Sequence, residues 1–159
     1  MAKVPAGTTD EARIHVDAAP DLVYALVSDV TRMSQWSPET RNCEWVDGAT
    51  GPAVGAAFRA SNRASRGPAW SNKPVVIAAE PGRHFAFLRG GHGATSWHYR
   101  LTPAGTGTEL TESYLVEQPV SAAMTWLTLW MRGAKDFRAD MRANLETTLA
   151  RIKAAAERG

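Results

Sequence analysis

The sequence predicts an α+β fold in which a curved antiparallel sheet wraps around a long C-terminal helix. From about residue 40 to residue 117, polar and apolar side chains alternate with a period of two, as they do in strands. No helical stretch interrupts this run, so the strands should pair antiparallel. Residues 134–156 then return to a helical period, with apolar residues at every third or fourth position from Phe137 to Ile152. An apolar sheet face must be covered, and only this helix is long enough to cover it.

The remaining elements follow from local patterns. Residues 13–17 alternate as a half-buried strand does. Two short helices should follow it, because Pro20 suits a first helical turn and the segment 31–36 stops before Pro38. Turn residues then divide the sheet into the candidate strands 41–47, 55–63, 69–80, 83–89, 95–102 and 107–117.

The chain of 159 residues has the length of one ordinary domain, which we place at residues 11–157 after a loose tail at residues 1–10. Residues 121–132 should form a further helix, separated from the last one near Gly133. This segment is apolar nearly all round. It is therefore expected to be buried against the chain's own core, or else to serve as a lid, a homodimer contact or a membrane-surface contact.

Charge and composition exclude several classes of function. The formal net charge is only +2, so no nucleic-acid partner is expected. No stretch approaches the roughly 20 apolar residues of a membrane span, and the N-terminus lacks a signal peptide's apolar core. With a single cysteine, Cys43, the chain fits a reducing compartment, and we expect a cytoplasmic protein. The basic residues are interpreted as the solvated outer face of the sheet: Arg59, Arg63, Arg66, Lys73, Arg83, Arg89 and Arg100.

Motifs for metals and cofactors are missing from the sequence. The four histidines show no metal-ligand spacing, and His84 and His98 alternate with apolar residues as solvent-facing residues would. The glycines at 90–93 lack dinucleotide-binding spacing, and there is no P-loop or nucleophile elbow. No metal and no cofactor are therefore expected.

Five segments of the chain carry a resemblance to a known family. They are IHVDAAPDLVYALVSDVTRMSQWSPE, GAAFRASNRA, VIAAEPGRHFAF, WHYRLTPAGTGTELTES and TLARIKAAAE. Together, over residues 11–155, they resemble the START-like (SRPBCC) superfamily of helix-grip proteins, in particular its bacterial polyketide cyclase/dehydrase and lipid-transport family. The resemblance implies a seven-stranded sheet gripping the C-terminal helix around a cavity. It implies no single activity, because members include cyclases, lipid carriers and hormone receptors.

Strand alternation predicts which side chains line this cavity, since residues two apart share a face. The aromatic and apolar sets of each strand are placed inward; in the fourth candidate strand this puts Phe85 and Phe87 inside, with His84 and Arg89 opposite. Trp70 lies near a strand end, where its ring would either pack in the core or edge the cavity mouth. The expected ligand-binding residues are Phe58, Asn62, Trp70, Phe85, Phe87, Trp97, Tyr99, Glu112, Tyr114, Phe137 and Met141.

Glu112 is the best single candidate for polar chemistry. A lone buried carboxylate is costly, so it must find a hydrogen-bond partner or keep its proton. Glu112 would then orient a ligand or act as an acid or base. The alternative is a structural role, in which its carboxyl bonds Asn62, Tyr99, Tyr114 or a backbone group.

Three functions are compatible with these patterns. The leading one is a carrier, sensor or scavenger of a small hydrophobic molecule such as a lipid, an aromatic or a polyketide-like compound. The second is a cyclase or dehydratase in which Glu112 is the acid or base, and Asn62, Tyr99 or Tyr114 holds an enolate or carbonyl oxygen. The third is an interaction module that uses the apolar segment 121–132. Binding without turnover is favoured, because no catalytic constellation is recognisable.

Overall fold

A computed structural model describes residues 3–158 of the chain as one antiparallel sheet with three α-helices. The strands are β1 (Thr9–Val16), β2 (Thr40–Val46), β3 (Ala57–Asn62), β4 (Trp70–Asn72), β5 (Val75–Glu80), β6 (His84–Arg89), β7 (Thr95–Ala104) and β8 (Gly107–Val116). The helices are α1 (Pro20–Ser28), α2 (Ala122–Arg132) and α3 (Phe137–Glu157), with a 3₁₀ helix at Val30–Gln35. This is the predicted α+β architecture, with two short helices after the first strand.

The sheet has eight strands, one more than the resemblance implied. Seven follow one another in the order β1-β8-β7-β6-β5-β3-β2, and β4 pairs with β3 beside this path. The extra strand arises because the candidate strand 69–80 is two strands, separated at Pro74. Proline has no N–H to donate to a ladder, and the Pro74 carbonyl instead accepts a hydrogen bond from the Phe58 N–H. Both halves still pair with β3.

The N-terminal segment is more ordered than the loose tail expected at residues 1–10. Val4 is buried and exchanges two backbone hydrogen bonds with Val120, and β1 begins at Thr9, opposite Leu115 of β8. The long β8 gives this segment a ladder to join, which the local pattern does not reveal. Met1 and Ala2 of the expected tail lie outside the described residues.

Local signals mark where α2 begins and ends and where α3 begins. The Ser121 hydroxyl accepts a hydrogen bond from the Met124 N–H and caps α2, and Asp136 caps α3 in the same way. Gly133 adopts a φ of 68°, which favours glycine, and ends α2 where the sequence predicted a break. Among residues 3–158, no helix combines the length and apolar character needed to cross a membrane.

The core lies between the concave face of the sheet and α3. Leu145, Leu149 and Ile152 of α3 are buried in one apolar cluster with side chains from the sheet and α1. Asn144 and Thr148 interrupt this stripe with polar groups, and they border a space that the core does not fill. The sheet and α3 therefore position the candidate site between them.

Candidate functional site

Two adjoining chambers lie between the sheet and the two C-terminal helices. The inner chamber has a volume of about 170 Å³ and the outer chamber about 500 Å³. They share a boundary formed by Trp70, Asn72, Arg89, Trp97 and Arg132. The outer chamber alone falls within the ~300–1,000 Å³ of ordinary small-molecule sites.

The outer chamber is mainly apolar. The helix α2 forms one wall with Met124, Leu127 and Met131, and α3 adds Phe137 and Met141. The methionine side chains are unbranched and adaptable, so this wall accommodates apolar groups of varied shape.

The inner chamber combines aromatic walls with buried polar groups. Phe58, Phe87 and Tyr99 of the sheet line it, beside Asn62 and Glu112. The Thr40 hydroxyl donates to the Asn62 side-chain oxygen at 3.1 Å, and the Asn62 amide donates to the Ala60 carbonyl at 3.4 Å. The Asn62 side chain is therefore held in place by the Thr40 hydroxyl of β2 and by the backbone of its own strand, β3.

Glu112 points into the inner chamber from the middle of β8. It lies directly across from Tyr99 in the β7–β8 ladder, and only 3% of the residue is exposed. Burial raises the pKa of the Glu112 carboxyl from its ordinary value of 4.5 to about 8. A hydrogen bond from the Tyr99 hydroxyl lowers this pKa, but by less than burial raises it. At neutral pH this carboxyl is therefore mostly protonated, and it presents a neutral group that both donates and accepts hydrogen bonds.

Most of the predicted site residues come together around these chambers. Those that line at least one chamber are Phe58, Asn62, Trp70, Phe87, Trp97, Tyr99, Glu112, Phe137 and Met141. Phe85 and Tyr114 point inward as expected but line neither chamber.

Helices cover Phe85 and Tyr114 and separate both residues from the chambers. Phe85 meets Tyr24 of α1 edge-on, with ring centroids 6.5 Å apart, and Tyr114 meets Phe137 of α3 at 6.2 Å. The Tyr114 hydroxyl is buried and has no hydrogen-bond partner within residues 3–158. Strand alternation gives the face of the sheet on which a side chain lies, but not which helix packs over it.

Arg132 is a site residue that the sequence did not reveal. Its guanidinium makes a bidentate pair with Glu39 at 2.8 and 3.0 Å and a second ion pair with Asp140 at 2.9 Å. All three side chains are largely buried. They join the end of α2 to the segment before β2 and to the first turn of α3, so they fix α2 beside the chambers.

Arg89 is a second charged residue of the boundary, and its expected place on the solvated outer face is wrong. Residues 85, 87 and 89 share one face of β6, so the alternation that turns Phe87 inward turns Arg89 inward too. Its guanidinium donates to the His92 and Gly93 carbonyls at 3.3 and 2.6 Å and to the Thr95 hydroxyl at 3.3 Å. Burial, and to a smaller extent the nearby Arg132, lower the pKa of Arg89.

The outer surface of α2 contradicts the expected burial of residues 121–132. Trp126 is 55% exposed and Trp130 43%, whereas the exposed Met124 and Leu127 lie on the side that lines the outer chamber. The guanidinium of Arg66 lies 5.8 Å from the Trp130 ring centroid. The helix is thus apolar all round because one side borders the chamber and the other faces outward.

The outer face of the sheet carries a histidine pair instead of two solvated histidines. His84 Nε2 lies 3.0 Å from His98 Nδ1, and both rings are half-buried. Burial is the main cause that lowers the pKa of each imidazole. Within residues 3–158, no three histidine, cysteine or acidic side chains cluster as metal ligands would.

Comparison with known proteins places the chain in a family. Residues 8–157 match the family described as polyketide cyclase / dehydrase and lipid transport. The chain belongs to this family. It is accordingly a START-like, SRPBCC member, as the sequence resemblance indicated. No curated protein matched the sequence.

Several solved structures share this fold at low sequence identity. The di-domain ARO/CYC StfQ from the steffimycin biosynthetic pathway has a TM-score of 0.75 at 18% identity, with 96% of this chain covering 51% of StfQ. A major latex-like protein from Panax ginseng has a TM-score of 0.70 at 13% identity, covering 95% of this chain and 98% of that one. A protein from Nitrosomonas europaea has a TM-score of 0.69 at 10% identity, covering 94% of each chain. These similarities establish the helix-grip fold.

Family membership narrows the range of functions. It supports binding of a hydrophobic molecule or cyclase activity in general terms, without naming the molecule or the reaction. The choice between them depends on the chambers themselves.

Proposed function

We propose that this protein binds a small hydrophobic molecule, such as a lipid, an aromatic or a polyketide-like compound, and acts as its carrier, sensor or scavenger. The observation that carries the proposal is the outer chamber of about 500 Å³, which has mainly apolar walls. Its volume lies within the range of ordinary small-molecule sites, and its wall combines apolar side chains of α2 and α3 with Trp70 and Trp97 of the sheet.

The inner chamber supports an amphiphilic ligand over a pure hydrocarbon. An apolar body would occupy the space between Met124, Met131 and Phe137, while an oxygen-bearing end would reach toward Asn62 and Glu112. Because the Glu112 carboxyl keeps its proton at neutral pH, it donates to a carbonyl or hydroxyl oxygen without placing a charge in the chamber.

A substitution that fills the outer chamber tests this proposal. Thr128 is half-buried on the chamber side of α2, so Thr128→Trp would place an indole in the space proposed for the ligand. Binding of the uncharged fluorescent probe N-phenylnaphthylamine should fall roughly ten-fold or more, since several buried methylene contacts are lost. Native mass spectrometry of protein purified from its own host would identify any retained compound.

The matched control is Ala123→Trp on the same helix. Ala123 is exposed and lies away from both chambers, so its indole should leave probe binding unchanged. Equal affinities for the probe in the wild type and Thr128→Trp would contradict binding in the chamber.

A second candidate function is a cyclase or dehydratase, favoured by the access of Glu112 to the inner chamber. The protonated carboxyl would act as the general acid toward a carbonyl or leaving hydroxyl group, with the Asn62 amide donating to an enolate oxygen. Glu112→Gln should then lower turnover of a polyketide-like substrate by ~10²–10⁴-fold with binding largely retained. Unchanged turnover in that variant would remove Glu112 as the acid.

A further inference from the structure

Arg89 is a cation on the wall of both chambers, at the boundary between them. Three hydrogen bonds to the loop of residues 92–95 hold its guanidinium in one orientation. The acceptors are two backbone carbonyls and one hydroxyl, all of them neutral. The loop thus orients the guanidinium without neutralising its charge.

No carboxylate of residues 3–158 lies within ion-pair distance of Arg89. Glu39 and Asp140 both pair with Arg132, and the three side chains together carry one negative charge, but neither carboxylate contacts Arg89. Glu112, which faces the same inner chamber, is mostly uncharged at neutral pH. A half-buried cation without a directly paired carboxylate is costly, and an anionic group in the chamber would offset that cost.

The guanidinium also has hydrogen-bonding capacity to spare. An arginine has five N–H donors, and the three bonds to the loop occupy both Nη2 hydrogens and one Nη1 hydrogen. The Nε hydrogen and the second Nη1 hydrogen have no acceptor within the described part of the chain. Hydrogen bonds from arginine to an ionised oxygen are about twice as strong as neutral ones, so an anionic oxygen fits these donors best.

We propose that Arg89 is an anion-binding subsite and that the ligand of this protein is an acidic amphiphile. Its apolar body occupies the outer chamber, and an ionised oxygen group, a carboxylate or a sulfonate-like group, contacts Arg89 at the boundary. This inference rests on the proposed ligand-binding function and specifies the chemical class of the ligand.

A matched pair of fluorescent probes tests the inference. Anilinonaphthalene sulfonate and N-phenylnaphthylamine share one aromatic framework and differ in the sulfonate group. Probe that binds the wild type but not the chamber-filling variant Thr128→Trp is counted as bound in the chamber. This comparison excludes probe bound to the exposed tryptophans of α2. Wild-type protein should bind the sulfonate roughly ten-fold or more tightly than the neutral probe, as expected for a hydrogen bond to a charged group.

The Arg89→Gln variant should lose this preference through weaker sulfonate binding, with the affinity for the neutral probe retained. The control is Arg59→Gln, which removes an equal charge from the exposed outer face of β3 and should keep the preference. Equal affinities of the wild type for the two probes would overturn the subsite, and this result does not depend on whether Arg89→Gln folds. A folded Arg89→Gln protein that keeps the preference for the sulfonate would overturn it as well. If neither probe binds in the chamber, the ligand-binding function itself fails.

Discussion

Replacing Glu112 by glutamine changes how the stability of this protein depends on pH. The carboxyl lies in the middle of β8, 3% exposed, and it accepts a hydrogen bond from the hydroxyl of Tyr99. Glutamine has nearly the same shape and keeps hydrogen-bonding capacity, but it cannot ionise. The substitution therefore removes one titration and preserves most of the packing.

The magnitude follows from the raised pKa of Glu112, about 8 in the folded chain against an ordinary value of 4.5. Below the lower value the carboxyl is protonated in both the folded and unfolded chains, and its stabilising contribution is fully present. Between the two values the unfolded chain loses the proton while the folded chain keeps it, so the free energy of unfolding falls as the pH rises. At 1.36 kcal/mol per pKa unit, the total loss is at most about 5 kcal/mol, complete once the pH passes about 8.

Urea unfolding of both proteins, followed by circular dichroism between about pH 5 and pH 9, measures this effect. Other groups, including the His84–His98 pair, titrate equally in the two proteins, so the difference between them isolates Glu112. The Glu112→Gln variant should gain stability relative to the wild type by several kcal/mol across this range. A difference in unfolding free energy that stays constant with pH would show that the carboxyl is already ionised in the folded chain, and the reasoning would fail.

Two further predictions concern the core and the apolar face of α2. Leu145→Ala removes a fully buried side chain of α3 and should lower the free energy of unfolding in urea by about 2–5 kcal/mol. The control Glu146→Ala changes the exposed neighbouring residue and should alter that free energy by no more than about 0.5 kcal/mol. Equal losses in the two variants would contradict the assigned face of the helix. If α2 forms the predicted homodimer contact, the double change Trp126→Gln and Trp130→Gln should shift the protein to monomer in sedimentation velocity with its fold intact, and an unchanged sedimentation profile would count against that contact.

The position of α2 links the chambers to the protein surface. Its inner side supplies the methionine-rich wall, and its outer side exposes Trp126 and Trp130. Arg132 fixes the end of the helix through two ion pairs. This one helix therefore both borders the ligand space and carries the exposed apolar face.

The sequence by itself determined the secondary-structure elements and the face of the sheet on which most strand side chains lie. The period of two, the turn residues and the apolar stripe of α3 predicted the helix-grip architecture, and Gly133 marked the break between α2 and α3. Alternation also placed Glu112 and Asn62 on the inner face, where both are buried. These features were predictable because backbone periodicity is local and each strand or helix repeats it over many residues.

The tertiary structure alone decided what covers each face and which charges meet. Phe85 and Tyr114 share the inner face with the chamber residues, yet α1 and α3 close over them. Arg132 meets Glu39 across 93 residues of sequence, and no local pattern encodes that pair. The exposure of Trp126 depends equally on which side of α2 meets the rest of the chain. Coverage and charge pairing result from long-range packing, and a pattern read along one segment has no information about the segment that packs against it.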